Sequence, residues 1–204
     1  MLGSMMLRRT LQLFAGLVLY GVTLALMVRA NLGLDPWDVF HQGVSRHLGW
    51  SLGTVVNVTG AFVLLLWLPL RQRPGLGTLS NIVVIGFAVD ATLAVLPPVT
   101  ALPVRFSLLA CGIVLNAVAT AAYIGARLGP GPRDGLMTGI VARTGRSTRV
   151  VRTGIEMGVL TTGWLLGGSV GVGTVAYALL IGPLVGPLLP LFTVPARPRS
   201  RKAS

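Results

Sequence analysis

Two acidic residues stand at matching places in two short segments of the sequence. Asp38 is followed four residues later by Gln42, and Asp134 is followed four residues later by Thr138. Because side chains four residues apart share a helix face, each pair would present a carboxylate beside a hydrogen-bonding group. His41 adjoins the first pair. A carboxylate inside a membrane is costly, so these residues are candidates for binding a proton, a cation or a substrate amine.

Both acidic segments begin in the same way, which leaves a second role open for the acids. Asp35 precedes Pro36, and Pro132 stands at the equivalent place in the other segment, so each predicted helix has proline at its first position. An acidic side chain at a helix start is also stabilised as a cap and by the helix dipole. We expect Asp35 to be a cap, and for Asp38 and Asp134 both roles stay open.

Asp90 is a third candidate, since it lies within an apolar segment and has no evident partner nearby in the sequence. We expect it to be a proton or ion site. Glu156 differs because Arg152 precedes it by four residues, which predicts a local ion pair on one helix face.

The elements that carry these residues are typical of a membrane protein. Only 11% of the 204 residues are charged and 53% are hydrophobic, whereas a soluble domain has about 25% charged residues. A helix needs roughly 20 apolar residues to cross the hydrocarbon core. The sequence therefore excludes an ordinary soluble domain and predicts six transmembrane helices, at 11–29, 51–70, 77–97, 104–126, 150–167 and 173–193.

The two acidic segments are too short to be further spans. The first helix is predicted from Pro36 to about His47, and the second from Pro132 to about Thr144. About 13 residues at 1.5 Å per residue give roughly 20 Å. We therefore expect each to be a re-entrant or interfacial helix.

An internal repeat relates the two halves of the chain at an offset of 96 residues. Gly75 and Gly77 align with Gly171 and Gly173, and the two proline–acid segments align with each other. We expect these four glycines to serve tight helix entry and close packing. The first membrane repeat would cover 11–98 and the second 104–193. With three spans in each half, the second half would be inverted relative to the first, as in many secondary transporters. A stable bundle or a dimer surface would be an alternative reason for the duplication.

The positive residues predict the orientation of the chain. In the six-span arrangement, fourteen of the 17 Lys and Arg residues fall in cytoplasmic segments, as the loop charge rule requires. Residues 1–10 would be a cytoplasmic N-terminus, and 194–204 would be a basic, disordered cytoplasmic tail. The net charge of +12 is then explained without a nucleic-acid partner.

Three stretches carry a resemblance to a known family: Val28–Asp38, Arg71–Thr78 and Leu128–Met137. They resemble the bacterial YczE/YyaS/YitT-type integral membrane proteins, over nearly all of the chain from about Arg8 to Phe192. The resemblance implies a bacterial cytoplasmic-membrane protein and implies no activity.

Taken together, the sequence predicts an all-α polytopic membrane protein of the bacterial inner membrane, built from two inverted three-helix repeats. The function predicted is a small secondary transporter or exporter with its site at the repeat interface. The alternative is a non-enzymatic accessory or regulatory protein, or a substrate-binding subunit of a larger transporter. We expect no catalysis, metal or cofactor. The expected partners are the lipid bilayer, a small-molecule or ion substrate, and a second copy or another membrane protein.

Overall fold

The computed structural model describes residues 2–194, which fold into helices joined by short loops. Four long helices correspond to predicted spans: α1 (Leu2–Ala30), α5 (Leu76–Val95), α6 (Leu102–Gly125) and α9 (Val172–Phe192). The remaining helices are α2 (Pro36–Leu48), α3 (Leu52–Leu65), α4 (Trp67–Leu70), α7 (Pro132–Thr144) and α8 (Thr148–Leu165).

Within residues 2–194, five segments are long and apolar enough to cross a membrane. They are α1, the combined α3–α4 segment, α5, α6 and α9. The sixth predicted span corresponds to α8, which occupies the expected place but is not among the five. Arg149, Arg152 and Glu156 all lie in the first half of α8 and lower its hydropathy. The all-helical membrane class is confirmed, while the crossing by α8 stays a prediction.

The predicted span 51–70 is interrupted at Leu66, where α3 ends and α4 begins. Pro69 explains the interruption. Proline has no N–H to donate to the carbonyl four residues earlier, and its ring clashes with that carbonyl. The predicted span is confirmed as the apolar segment Leu52–Leu70, and the break within it was not predicted.

The two short helices have the predicted starts and lengths. Asp35 is the N-cap of α2, and its Oδ1 accepts the backbone N–H of Asp38 at 2.8 Å. Pro36 and Pro132 occupy the first positions of α2 and α7. Each helix ends at a glycine in the left-handed region, as expected for a C-terminal cap.

Helices α1 and α6 run antiparallel through the centre of the molecule. The Gln12 side chain near the start of α1 donates to the carbonyl of Ala122 near the end of α6. At the other end, Arg105 donates to the carbonyl of Ala30. The helices approach closely at Gly16, where a Cβ would collide with the α6 backbone. Among the candidate spans, these two helices are the most deeply buried.

The loops at the two ends of this pair are held by matching hydrogen bonds. The Gly77 N–H donates to the carbonyl of Leu128 at 2.8 Å, and the Gly173 N–H donates to that of Leu32 at 2.7 Å. Leu128 and Leu32 differ by 96 positions, as do Gly173 and Gly77.

Gly75 and Gly171 are the N-caps of α5 and α9. Each donates its backbone N–H to a threonine hydroxyl three residues later, Thr78 and Thr174 respectively. The four glycines therefore lie at helix starts against a neighbouring loop, as the sequence predicts.

The terminal segments are only partly described. Helix α1 already begins at Leu2, so the segment predicted as the cytoplasmic N-terminus is helical. At the other end, Val194 is buried and its N–H donates to the carbonyl of Gly125 at 3.0 Å. The rest of the predicted basic tail, residues 195–204, lies outside the described residues.

Candidate functional site

A cavity of about 420 Å³ lies where the starts of α2 and α7 meet. Asp35, Pro36, Trp37 and His41 line it from the first short helix and the residue before it. The α7 side contributes residues 131–134 and Met137. Helices α1, α3, α5, α6, α8 and α9 complete the walls, so the cavity draws on both halves of the chain. Its volume falls in the range of small-molecule sites.

Arg133 joins the two short helices electrostatically. Its guanidinium lies 3.8 Å from the carboxylate of Asp35 and 3.4 Å from that of Asp38. It also lies over the indole ring of Trp37, at 5.0 Å from the ring centroid. The start of α7 thus supplies a cation to two acids at the start of α2. The site therefore already holds one positive group between carboxylates and an aromatic face.

Asp38 is completely buried and does not itself line the cavity. Its Oδ1 lies 3.1 Å from Nδ1 of His41 and 3.4 Å from the guanidinium of Arg133. Its Oδ2 is buried and has no hydrogen-bond partner among residues 2–194. Two oxygens in one carboxylate therefore have unequal surroundings. Such an unsatisfied buried oxygen is costly and is a place where a proton or a further donor would be stabilised.

Asp134 faces the cavity in a different way. The nearest hydrogen bond is from the hydroxyl of Tyr123, at 3.5 Å. Among the described residues, no guanidinium or ammonium group forms an ion pair with its carboxylate within 4.0 Å. Asp134 is therefore a lining carboxylate without a directly bound cation.

The partners predicted for the two acids do not join them in the cavity. Gln42 accepts the backbone N–H of Ser169 at 2.7 Å and so fastens α2 to the loop before α9. Thr138 is exposed and donates to the carbonyl of Gly135 within its own helix. Gln42 and Thr138 therefore lie outside the cavity lining. His41, in contrast, does line it.

Asp90 lies outside the cavity lining and has partners that the sequence did not suggest. Its carboxylate accepts the hydroxyl of Ser51 at 2.6 Å and the backbone N–H of Gly53 at 2.8 Å. These groups belong to the N-terminal end of α3. The arrangement is that of a helix cap supplied by a neighbouring helix, and the structure does not bring Asp90 together with the other candidate acids.

Arg152 and Glu156 form the predicted ion pair on α8, at 2.8 Å, and both also line the cavity. Asn81 lines it too, whereas Asn116 makes hydrogen bonds between helices with Thr23 and Tyr177.

The sequence analysis predicted neither the ion pairs that Arg133 forms with Asp35 and Asp38 nor the aromatic side chains of the cavity wall. Three tyrosines and Trp37 line the cavity, the tyrosines being Tyr20, Tyr123 and Tyr177. Arg133 could have been found from charge balance, since two acids three residues apart in an apolar chain require a cation. The tyrosines lie on three different long helices, and no local spacing connects them.

The comparisons with known proteins concern the whole chain. A family model described as a family of unknown function (DUF6198) matches residues 7–189. An uncharacterized protein of Haemophilus influenzae is 43% identical over 173 residues, covering 85% of this chain and 79% of that protein. The uncharacterized membrane protein YczE of Bacillus subtilis is 36% identical over 180 residues, covering 87% and 83% of the two chains.

A more distant relative is the uncharacterized protein YyaS of Bacillus subtilis, which is 26% identical over 180 residues and covers 86% of this chain and 90% of its own. No solved structure matches the fold. The apolar helices and the similarity to YczE both identify an integral membrane protein. With the family model extending over nearly the entire chain, this protein belongs to the DUF6198 family of membrane proteins.

Proposed function

We propose that this protein is a small secondary transporter or exporter of the bacterial inner membrane, with its substrate site in the cavity between α2 and α7. The observation that carries the proposal is the meeting of the two short-helix starts at one cavity, joined by Arg133 and its two acids. Secondary transporters with inverted repeats bind their substrates at the repeat interface, near the midplane of the bilayer.

The reach of the two loops supports a site between the membrane faces. Helix α6 has 24 residues, or roughly 36 Å of length. Asp35 is five residue steps along the chain from Ala30, which lies at one end of the α1–α6 pair, and extended chain reaches at most about 18 Å over that distance. Arg133 is seven residue steps from Ala126 at the other end of the pair, a reach of about 25 Å. Both loops must therefore run inward for the two side chains to meet.

The paired loop contacts support an inverted repeat. The hydrogen bond from Gly77 to Leu128 and the one from Gly173 to Leu32 join equivalent positions of the repeat, with the two halves interchanged. A two-fold relation between the halves produces such a pair of bonds, because each half then contacts the other through the same repeat positions. In this arrangement α8 is the sixth crossing, with its charged first half directed to the cavity instead of to lipid.

The ion pairs of Arg133 suggest how the halves could move. Transporters of this type expose the site alternately by rocking one repeat against the other. Arg133 belongs to α7, whereas Asp35 and Asp38 belong to the α2 side. A substrate or proton that competes for these carboxylates would weaken the link between the halves, and its departure would restore the link.

Two-sided accessibility of the cavity tests the proposal without knowledge of the substrate. Thr59 lines the cavity near the middle of the Leu52–Leu70 segment. In a chain whose cysteine, Cys111, is replaced by alanine, Thr59→Cys should react with a membrane-impermeant maleimide in right-side-out and in inside-out vesicles. The matched control is Val58→Cys on the neighbouring, exposed face of the same helix, which should react in neither because lipid surrounds it.

Reaction of Thr59→Cys from one face only would contradict alternating access. That result would favour the alternative function, an accessory protein or a substrate-binding subunit of a larger transporter, in which the cavity is a fixed pocket.

A further inference from the structure

Helices α3 and α5 pack closely along the surface between them, which we call their seam. A Cβ on Gly53 would collide with the backbone of Gly86, and a Cβ on Gly86 would collide with Gly53 and with the side chain of Asn57. Asp90 adds hydrogen bonds to Ser51 and to the Gly53 backbone across the same seam. Two glycines and one carboxylate thus hold these helices in contact.

The equivalent seam in the second half, between α8 and α9, is open. At an offset of 96 residues, Arg149 replaces Gly53, Gly182 matches Gly86, and Gly186 replaces Asp90. Arg149 is too large for a close approach and Gly186 has no carboxylate to bridge it. Among residues 2–194, no hydrogen bond joins α8 to α9, and a Cβ on Gly182 or Gly186 would meet nothing within 4 Å.

The open seam is continuous with the cavity. Gly182 and Gly186 of α9 line the cavity, and so do Ile155 and Glu156 of α8. Elsewhere on its surface α9 exposes large apolar side chains such as Leu179, as a lipid-facing helix does. The gap between α8 and α9 therefore connects the cavity and its charged residues laterally with the bilayer.

The charges at the end of this gap favour a cation. Three carboxylates line the cavity, those of Asp35, Asp134 and Glu156, against the two guanidinium groups of Arg133 and Arg152. The carboxylate of Asp38 is buried behind the wall and pairs with Arg133. Arg133 is already paired with Asp35 and Asp38, and Arg152 with Glu156, so among residues 2–194 no cation is directly bound to Asp134. The aromatic rings that line the cavity also attract cations through their faces, as the position of Arg133 over Trp37 illustrates.

We propose that the cavity binds an amphipathic organic cation, which arrives from the bilayer through the gap between α8 and α9 and pairs with Asp134. The charge of such a ligand matches the excess of carboxylates, and its apolar groups match both the lipid-facing entrance and the aromatic walls. This inference rests on the proposed site but does not require transport.

Binding of tetraphenylphosphonium, a bulky lipophilic cation, tests the ligand class. The purified full chain in lipid nanodiscs should bind it in equilibrium dialysis, and should not bind tetraphenylborate, an anion of the same shape. Asp134→Asn should weaken the binding about tenfold or more, because it removes the carboxylate that pairs with the cation. Asp134→Glu keeps the charge and should retain most of it. Absence of tetraphenylphosphonium binding, equal binding of the borate, or unchanged affinity in Asp134→Asn would overturn the proposal.

The rate of binding tests the route. Gly182→Leu should fill the gap between α8 and α9 and slow association about tenfold. Gly158→Leu is the matched control, because Gly158 is also an exposed helical glycine with nothing within 4 Å but lies outside the cavity lining. Equal association rates in the two variants would overturn lateral entry.

The labelling and binding experiments distinguish failure of the transporter proposal from failure of the ligand class. Two-sided labelling of Thr59→Cys without tetraphenylphosphonium binding would leave the transporter proposal standing and refute the ligand class. Tetraphenylphosphonium binding with one-sided labelling would support the ligand class and refute the transporter proposal.

Discussion

Arg133 connects the two short helices at the level of single residues. Its side chain is 30% exposed, and its guanidinium contacts Asp38, which is fully buried. A buried carboxylate that loses its cation is strongly destabilised, because desolvation is then uncompensated. The side chain therefore has a structural part as well as the proposed functional one.

Replacement of this arginine should show the structural part directly. Arg133→Met should lower the free energy of unfolding by about 3 kcal/mol, the lower end of the range for buried pairs, since the arginine is partly exposed. Thermal unfolding in detergent measures the effect. Arg152→Met is the matched control: it removes an exposed ion pair with Glu156 and should cost at most about 1 kcal/mol.

Neutralising the acids should reverse most of that loss. The triple variant Arg133→Met, Asp35→Asn, Asp38→Asn removes the unpaired charges together with the cation. Should Arg133→Met prove as stable as Arg152→Met, the ion pairs across the two helices would not be present in the folded protein.

Local spacing was sufficient to predict some of the site residues. The cap by Asp35 and the pair of Arg152 with Glu156 involve residues three or four positions apart, within one helix or at its start. Asp90 illustrates the limit, since its partner Ser51 is 39 positions away and is reached only through the packing of α3 against α5. The sequence identified the acid but not what surrounds it.

At the scale of elements, the two short helices were predicted closely because both of their ends have strong signals. Proline at the first position and glycine at the C-cap mark α2 and α7. The break at Leu66 was not predicted, although Pro69 gave a signal for it. The apolar pattern of that segment runs through the proline and conceals the break.

The position of α7 depends on a close fit between Gly135 and Trp67. The Trp67 ring is 1% exposed, and its Nε1 donates to the carbonyl of Pro132 at 3.0 Å. A Cβ on Gly135 would overlap this ring. The start of α7, and with it Arg133, is thereby fixed against the α3–α4 segment.

Gly135→Ala should therefore lower the free energy of unfolding by about 1–3 kcal/mol, as overpacking in a core does. Gly154→Ala is the matched control on α8, where a Cβ meets nothing within 4 Å. That change should be neutral or stabilising by up to about 1 kcal/mol, because alanine favours the helix. Thermal unfolding of both variants is the measurement, and a Gly135→Ala protein as stable as the control would argue against the Trp67 contact.

At the scale of the whole molecule, the fold class followed from apolar length alone, but the asymmetry of the halves did not. The 96-residue repeat suggests equivalent packing in both halves, whereas α3 packs on α5 and α8 does not pack comparably on α9. Arg149 and Gly186 stand at the positions that Gly53 and Asp90 occupy in the first half. They can be interpreted only once the structure shows which residues form the seam.

Hydrogen bonds from arginine side chains to backbone carbonyls show which helix ends lie at the same end of the molecule. The side chain of Arg143 at the end of α7 donates to the carbonyl of Pro69, so these two segments share one end of the molecule. Arg46 at the end of α2 donates to the carbonyl of Gly167, the loop between α8 and α9. Inversion of the halves requires that these two ends lie on opposite sides of the membrane, with α8 as a full crossing. The loop charge rule predicts that the first end is cytoplasmic and the second external.

Reporter fusions placed after Arg71, after Arg143 and after Gly167 test this central claim most directly. An alkaline phosphatase or green fluorescent reporter distinguishes the two sides of the membrane. We predict that the reporters after Arg71 and Arg143 are cytoplasmic and that the reporter after Gly167 is external. A cytoplasmic reporter after Gly167 would mean that α8 does not cross, and that result would contradict two inverted three-helix repeats and the transporter built on them.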